Sequence, residues 1–471
     1  MNLARLVHAG FWFDKSSFEH ALELARRGVG GFCLYGGTRE QIAHFTQAVR
    51  EVSPLPYLLI SADYEDGLGR WVPDAPLLPS NLALGAANDE QMAFEKGFIT
   101  AQQARSLGVD WVFAPVLDLA DNPLNPIVNT RSFGKEPEQV VRLAGAFLRG
   151  LKKGGALNSL KHFPGHGDTT TDSHLALPVL HKTAAQLRER EMKPFADLLP
   201  LADSVMLGHL LVPEVDAEQP ASLSFRFLQD ELRERLHYNG CILTDALLMK
   251  AIGDEKQAAL TALRGGADVL LVPEHPMALI DFLEQQPLSP EQLAHAFATQ
   301  DTLCQQAQNM RVPSQDEAFV PTDFTRRCAQ KAIVQIGNIT LQPGETVYYT
   351  EVGNTNALPA EPFLQTLQNA GIDLHPYKGE NGKLIVLCFR RYQAFQGAIS
   401  LNQEDTQHLR RALEQATQSV CVLFASPWAL QGINSPDSMI FTFSPAPDFQ
   451  VTAAEILLGQ RTPQGQLPVS L

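Results

Sequence analysis

Short apolar runs alternate with helix-spaced segments through the first two thirds of the 471-residue chain, and the runs end on polar, titratable side chains. Strands are expected over residues 7–13, 29–37, 57–63, 111–119, 155–160, 204–211, 241–244 and 268–272. Helices are expected between and after them, over 18–27, 40–52, 89–107, 138–153, 184–199, 225–237, 255–264 and 290–310, with Asn88 as an N-cap and glycines at several ends. Strands that alternate with helices imply βαβ units and a parallel sheet. About eight such units in roughly 300 residues is the count and size of a (β/α)8 TIM-type barrel. The competing doubly wound sheet usually stops near six strands.

In such a barrel, side chains at the C-terminal ends of the strands face the active-site mouth. Here those positions hold Asp63, Asp118, Lys161, His162, His209 and Asp245. The densest stretch is LKHFPGHGDTTTDSH, residues 160–174, which reads as a loop leaving the end of the strand over 155–160. It carries Lys161, His162, His166, Asp168, Asp172 and His174, with Pro164, Gly165 and Gly167 breaking any regular element. Loops on a rigid scaffold are where catalytic side chains concentrate; the plainer reading is a polar surface loop.

Residues 1–312 are thus read as a barrel domain and 313–321 (PSQDEAFVP) as a polar, proline-bounded linker. The pattern restarts over 322–471, with strands over 347–351, 384–389, 420–425 and 439–443 and helices over 361–371, 404–417 and 452–459, implying a smaller α/β domain with its own parallel sheet. Arg390, Arg391 and Tyr392 follow its second strand and either reach toward the barrel mouth or form an ordinary solvated turn.

A formal net charge of -15 argues against a nucleic-acid partner, because phosphate binding needs a basic face. No apolar run reaches the ~18 residues of a membrane span. The N-terminus lacks a distinct h-region and a small-residue cleavage site, so a cytoplasmic location is expected. The six cysteines are scattered and several lie in apolar runs, as reduced core residues do.

Glycoside hydrolysis needs a nucleophilic or water-activating carboxylate and a proton donor on either side of the scissile bond. Asp245, ending a buried strand within ILTDALLM, is a well-held carboxylate for the first role. His174 suits the second, because an imidazole both gives and takes a proton near neutral pH. Asp172, two residues earlier, is placed to orient that ring and stabilise the imidazolium. The rival is a divalent-metal site built from His162, His166, Asp168, Asp172 and His174, although no HExxH or HxH pattern is present.

The segment Lys161-His162-Phe163-Pro164-Gly165, then Gly167, then Asp172-Ser173-His174 fits the pattern KH(F/I)PG-x-G-x4-D-(S/T)-H throughout. In this the chain resembles glycoside hydrolase family 3, in its β-N-acetylglucosaminidase branch. Asp63, Glu65, Gly67 and Arg70 resemble the family's D-Q-E-G-G-R segment with a longer spacing to the arginine. FAPVLDL (113–119), TRSFG (130–134), VMLGHLLVP (205–213) and LTDALLM (243–249) resemble further barrel motifs, and LLGQRTPQGQLPV (457–469) resembles the close of the family's second, α/β-sandwich domain. The resemblance implies Asp245 as nucleophile, His174 as acid/base assisted by Asp172, and Asp63, Arg70, Arg131, Lys161, His162 and His209 as sugar-binding residues. It implies retaining hydrolysis of terminal β-linked N-acetylglucosamine from muropeptides or chitooligosaccharides, with no cofactor and no metal. Phosphorolysis, or a catalytically silent sugar-binding barrel, are the alternatives. Tyr64, Asp66 and Ala246 depart from the family pattern, in which Gln, Gly and Asp are common at those places.

Overall fold

Runs of consecutive buried apolar residues pair only with neighbours that are covered on both faces, and such runs form parallel strands beneath helices. A computed structural model describes residues 2–288, 290–353, 359–390, 399–433 and 435–471. Its first nine strands are β1 (Val7–Trp12), β2 (Gly31–Tyr35), β3 (Leu59–Ala62), β4 (Trp111–Val112), β5 (Leu157–Asn158), β6 (Leu160–Phe163), β7 (Ser204–Leu207), β8 (Cys241–Thr244) and β9 (Leu270–Leu271). One parallel sheet has the order β5-β4-β3-β2-β1-β9 and a second the order β6-β7-β8. Isolated bridging pairs, Val116 with Lys161 and Leu243 with Val269, link the two sheets at both edges, so the strands curl.

Helix ends follow local chemistry. Thr38 and Gln41 form a capping box ahead of the helix Arg39–Val52. The helix Pro137–Gly154 stops at Gly155, whose φ of 90° is a left-handed conformation costly for other residues. Asn88 is not the expected N-cap. It ends a separate short helix, Asn81–Ala87, at φ 49°, and Asp89 caps Glu90–Ser106 by accepting from the Met92 N–H. The expected helix over 184–199 is two pieces, Ala184–Glu189 and Lys193–Leu198. Arg190 leaves helical geometry, and Pro194 lacks the N–H that would continue the first piece.

The remaining strands are β10 (Val334–Ile336), β11 (Thr346–Gly353), β12 (Asp373–Pro376), β13 (Lys383–Phe389), β14 (Gln418–Leu423) and β15 (Ser438–Phe441), in the order β10-β15-β14-β13-β11-β12. The sheet is mixed rather than wholly parallel, because β10 runs antiparallel to β15. With three residues, β10 is too short to show a period in the sequence. Residues 313–321 contain a helical turn, Gln315–Ala318, closed by a Ser314–Glu317 capping box. Arg390 donates to the Ile399 carbonyl at 3.2 Å; Arg391 and Tyr392 lie outside the described residues. Among the described residues, no helix is long and apolar enough to cross a membrane.

Candidate active site

The strand entering the polar stretch does not end at Leu160. It continues as β6 through Lys161 and His162, both buried. Their polarity suggested a loop, but burial of these groups is balanced by partners. Lys161 Nζ lies 2.7 Å from Asp63 and 2.5 Å from Glu65, just beyond β3. Arg131 grips Glu65 through two hydrogen bonds, Nε to Oε2 at 2.8 Å and Nη2 to Oε1 at 2.7 Å. Burial alone would raise Glu65, but the two cations outweigh it and hold its carboxyl well below the usual range. Burial would lower Lys161, but Asp63 and Glu65 outweigh it and raise it.

His162 is fixed from both sides. Its Nδ1 is 2.6 Å from Asp118 Oδ2, and its Nε2 is 3.3 Å from Arg131 Nη2. The carboxylate can only accept and the guanidinium can only donate, so the neutral ring carries its proton on Nδ1. Asp118 Oδ1 also accepts the backbone N–H groups of His162 and His166. One buried carboxylate thereby ties the strand end to the start of the following loop. Gly167 lets that loop pass: a Cβ there would lie 1.8 Å from the Leu119 carbonyl oxygen.

The loop then presents His174. Asp172 Oδ1 is 2.8 Å from its Nδ1 and accepts its backbone N–H at 2.9 Å. The Asp172 side chain is 2% exposed and that of His174 23%, so a buried anion orients a ring that reaches the cavity. Asp245 follows β8, with its backbone N–H on the Leu207 carbonyl at 2.9 Å and its Oδ1 accepting from the Ala246 N–H at 2.8 Å. Burial works to raise it, but His162, His209, that N–H and His174 together hold it below the ordinary carboxylate value.

These groups converge on one cavity of about 350 Å³. Asp63, Arg70, Arg131, Lys161, His162, His174 and Asp245 line it, and Asp172 stands behind His174. His209 does not line it. It lies buried behind Asp245, Nδ1 2.6 Å from Ser222 Oγ and Nε2 3.1 Å from the Ala246 carbonyl, where it props the turn carrying Asp245. Among the described residues, no group of three or more His, Cys, Asp or Glu side chains is placed to hold a metal. The rival metal set is dispersed: Asp168 pairs with Lys182 at 3.0 Å, His166 with Thr169 at 2.8 Å, and Asp172 with His174.

Residues 3–298 match the family described as the glycosyl hydrolase family 3 N terminal domain. The chain belongs to glycoside hydrolase family 3. It is 34% identical over 260 residues to a beta-hexosaminidase of Idiomarina loihiensis, covering 53% of this chain and 78% of that protein. It is 36% identical over 252 residues to a beta-hexosaminidase of Pseudomonas aeruginosa, covering 52% and 75%. The structure of a family 3 β-N-acetylglucosaminidase from Paenibacillus sp. str. FPU-7 superposes with a TM-score of 0.83 at 27% identity, covering 100% of this chain and 98% of that one. A beta-glucoside phosphorylase, BglX, superposes at 0.91 with 23% identity, covering 100% and 93%, a likeness of fold. The chain is thus a glycoside hydrolase acting on O-glycosyl bonds.

Within this family 3 site, Glu65, His166 and an aromatic wall of Trp12, Tyr35 and Trp71 also line the cavity. Glu65 carried a signal as an acid two residues past Asp63; the aromatic residues carried none, being scattered among strand ends. Of the three departures from the family pattern, Ala246 lines the cavity. Tyr64 is buried, and Asp66 turns to Lys96 at 3.5 Å and Arg70 at 3.8 Å.

Burial pushes His166 down to about 4. An unfolded imidazole takes up its proton near pH 6.5, whereas the folded one does so only near 4. Its contribution to stability is therefore full above pH 6.5 and is lost as the pH falls. Between pH 7 and 5 this loss is expected to be about 2 kcal/mol. Urea midpoints for wild type and His166→Leu across that range check it: the variant should show the smaller decline, and equal declines would refute the assignment.

Proposed function

We propose that this family 3 enzyme is a retaining exo-β-N-acetylglucosaminidase that releases terminal β-linked N-acetylglucosamine from muropeptides or chitooligosaccharides. The observation that carries this is the opening of Asp245 and the Asp172–His174 pair onto the same cavity as the Asp63–Glu65–Arg131–Lys161–His162 cluster. The printed names of the beta-hexosaminidase relatives and of the Paenibacillus structure support the N-acetyl sugar. In this reading the two linked parallel sheets are one (β/α)8 barrel over residues 1–312, joined by 313–321 to an α/β sandwich over 322–471.

Asp63, Arg70, Arg131, Lys161 and His162 hold the hydroxyls of the terminal sugar. Asp245 attacks the anomeric carbon while His174 protonates the departing glycosidic oxygen, giving a glycosyl–Asp245 ester. His174, now neutral, takes a proton from water as the water attacks, and the carboxylate of Asp245 leaves. Asp172 holds the tautomer of the neutral ring between the two steps and stabilises the imidazolium that enters the first step and is restored by the second. His209 fixes the turn beneath the nucleophile without touching sugar.

A second reading is favoured by the chemistry of the acid/base. A neutral imidazole repels an anion less than a carboxylate would, and Arg70, Arg131 and Lys161 line the same cavity. Inorganic phosphate in place of water would attack the ester, release the Asp245 carboxylate and yield a glycosyl 1-phosphate. Turnover of an aryl β-N-acetylglucosaminide and the matching β-glucoside, each with and without phosphate, tests both. Hydrolysis of the N-acetyl sugar well above the glucoside, indifferent to phosphate, is the expected result. Phosphate-dependent rates with a sugar phosphate product would establish the second reading, and equal rates on both sugars would overturn the N-acetyl preference.

A further inference from the structure

Residues 128–135 bear Arg131, and the flanks of this segment are tied to the loop after β14 and to the C-terminal residues 468–470. On one side Asn129 sits at φ 39°, a left-handed conformation uncommon for residues other than glycine. Its Oδ1 accepts the Thr130 N–H at 2.8 Å, closing the turn that aims Arg131. Its Nδ2 donates to Ser426 Oγ at 3.0 Å, 297 positions further along the chain and just past β14. Asn129 and Ser426 are each 1% exposed, so water does not replace that bond. Ser426 Oγ also accepts the Trp428 N–H at 3.2 Å, which fixes the hydroxyl. On the other side the Lys135 N–H reaches the Pro468 carbonyl at 3.1 Å and its Nζ reaches Ser470 Oγ at 2.9 Å. Trp428 Nε1 donates to the Ser470 carbonyl at 2.7 Å, joining the two anchor points.

We propose that Ser426, acting through Asn129, is a positioning residue for Arg131, so that the loop after β14 of the β10–β15 sheet sets the aim of the guanidinium in the sugar site. The proposal rests on the reading of Arg131 as a sugar-holding residue. Arg131 meets Glu65 and His162 from within the cavity, so a small rotation of its turn would move the whole cluster. Displacement of about 1 Å in such a group costs up to roughly 100-fold in rate.

The test is a double-mutant cycle in the full chain, read as kcat/KM on whichever aryl β-glycoside the wild type hydrolyses fastest, which makes it independent of the sugar's identity. Ser426→Ala is expected to lower kcat/KM by about 10-fold, mostly through KM. Ser426→Thr, which keeps the acceptor oxygen, should restore it to within about two-fold. In an Arg131→Ala background, Ser426→Ala should add less than about two-fold, while shifting Tm by the same amount as in wild type. A full Ser426→Ala loss in both backgrounds, or no loss in wild type, overturns the coupling alone. Wild-type kcat/KM in Arg131→Ala would instead remove Arg131 from the sugar site and the proposal with it.

Discussion

Asp245→Ala is expected to lower kcat on an aryl β-N-acetylglucosaminide on the order of 10⁴–10⁶-fold while leaving the fold intact, as removal of a covalent nucleophile does. The fold should survive because the carboxylate contributes one bond to the turn, from the Ala246 N–H, and His209 still grips the Ala246 carbonyl. In the proposed mechanism, what is lost is the group that attacks the anomeric carbon. Histidines around it and the Ala246 N–H hold this carboxylate below its ordinary pKa, so it is ionised throughout the neutral range. Removal also opens space for a small anion. Added azide should therefore raise the rate of the variant and give the α-glycosyl azide, the inverted product of direct attack from the Asp245 side. The expectation rests on steady-state rates and the anomeric configuration of the azide adduct. A variant within about 100-fold of wild type would remove Asp245 from the nucleophile role, because the remaining binding and acid/base groups do not supply that much catalysis.

His174→Ala should separate substrates by their leaving groups. A chitooligosaccharide departs as an alkoxide unless protonated, and loss of one general acid typically costs roughly 10²–10⁴-fold. A dinitrophenyl glycoside leaves as a stable phenolate and should lose far less in its first step. Asp172→Asn should act in the same direction, since an amide can no longer hold the imidazolium across the 2.8 Å contact. Plotting log kcat/KM against leaving-group pKa checks this: the slope should steepen in both variants. Parallel losses on activated and natural substrates would show that His174 is not the proton donor.

Much of this was legible in the chain because it is local. Strand β8 follows from the apolar run CILT, and the Asp172–His174 pair is two residues long and closes on itself. Asp63 and Asp245 stand at the ends of apolar runs, which is where a parallel sheet delivers side chains to a mouth. Other features were misread for a physical reason. Lys161 and His162 read as loop because charge is normally solvated, yet Asp63, 98 positions from Lys161, and Asp118, 44 positions from His162, partner them inside a strand. His209 carries the same strand-end signature as the lining residues, and only the packing of Ser222 and Ala246 turns it behind Asp245. Local sequence is enough for the alternation of strands and helices, the titratable strand ends and the His- and Asp-rich loop, since each depends on periodicity or on neighbours within a few residues. Tertiary structure alone decided which of those side chains share the cavity, how Glu65 and Asp118 lock Arg131 and His162, and that Ser426 reaches Asn129. Those contacts join residues tens to hundreds of positions apart, and no local pattern encodes the distance between them.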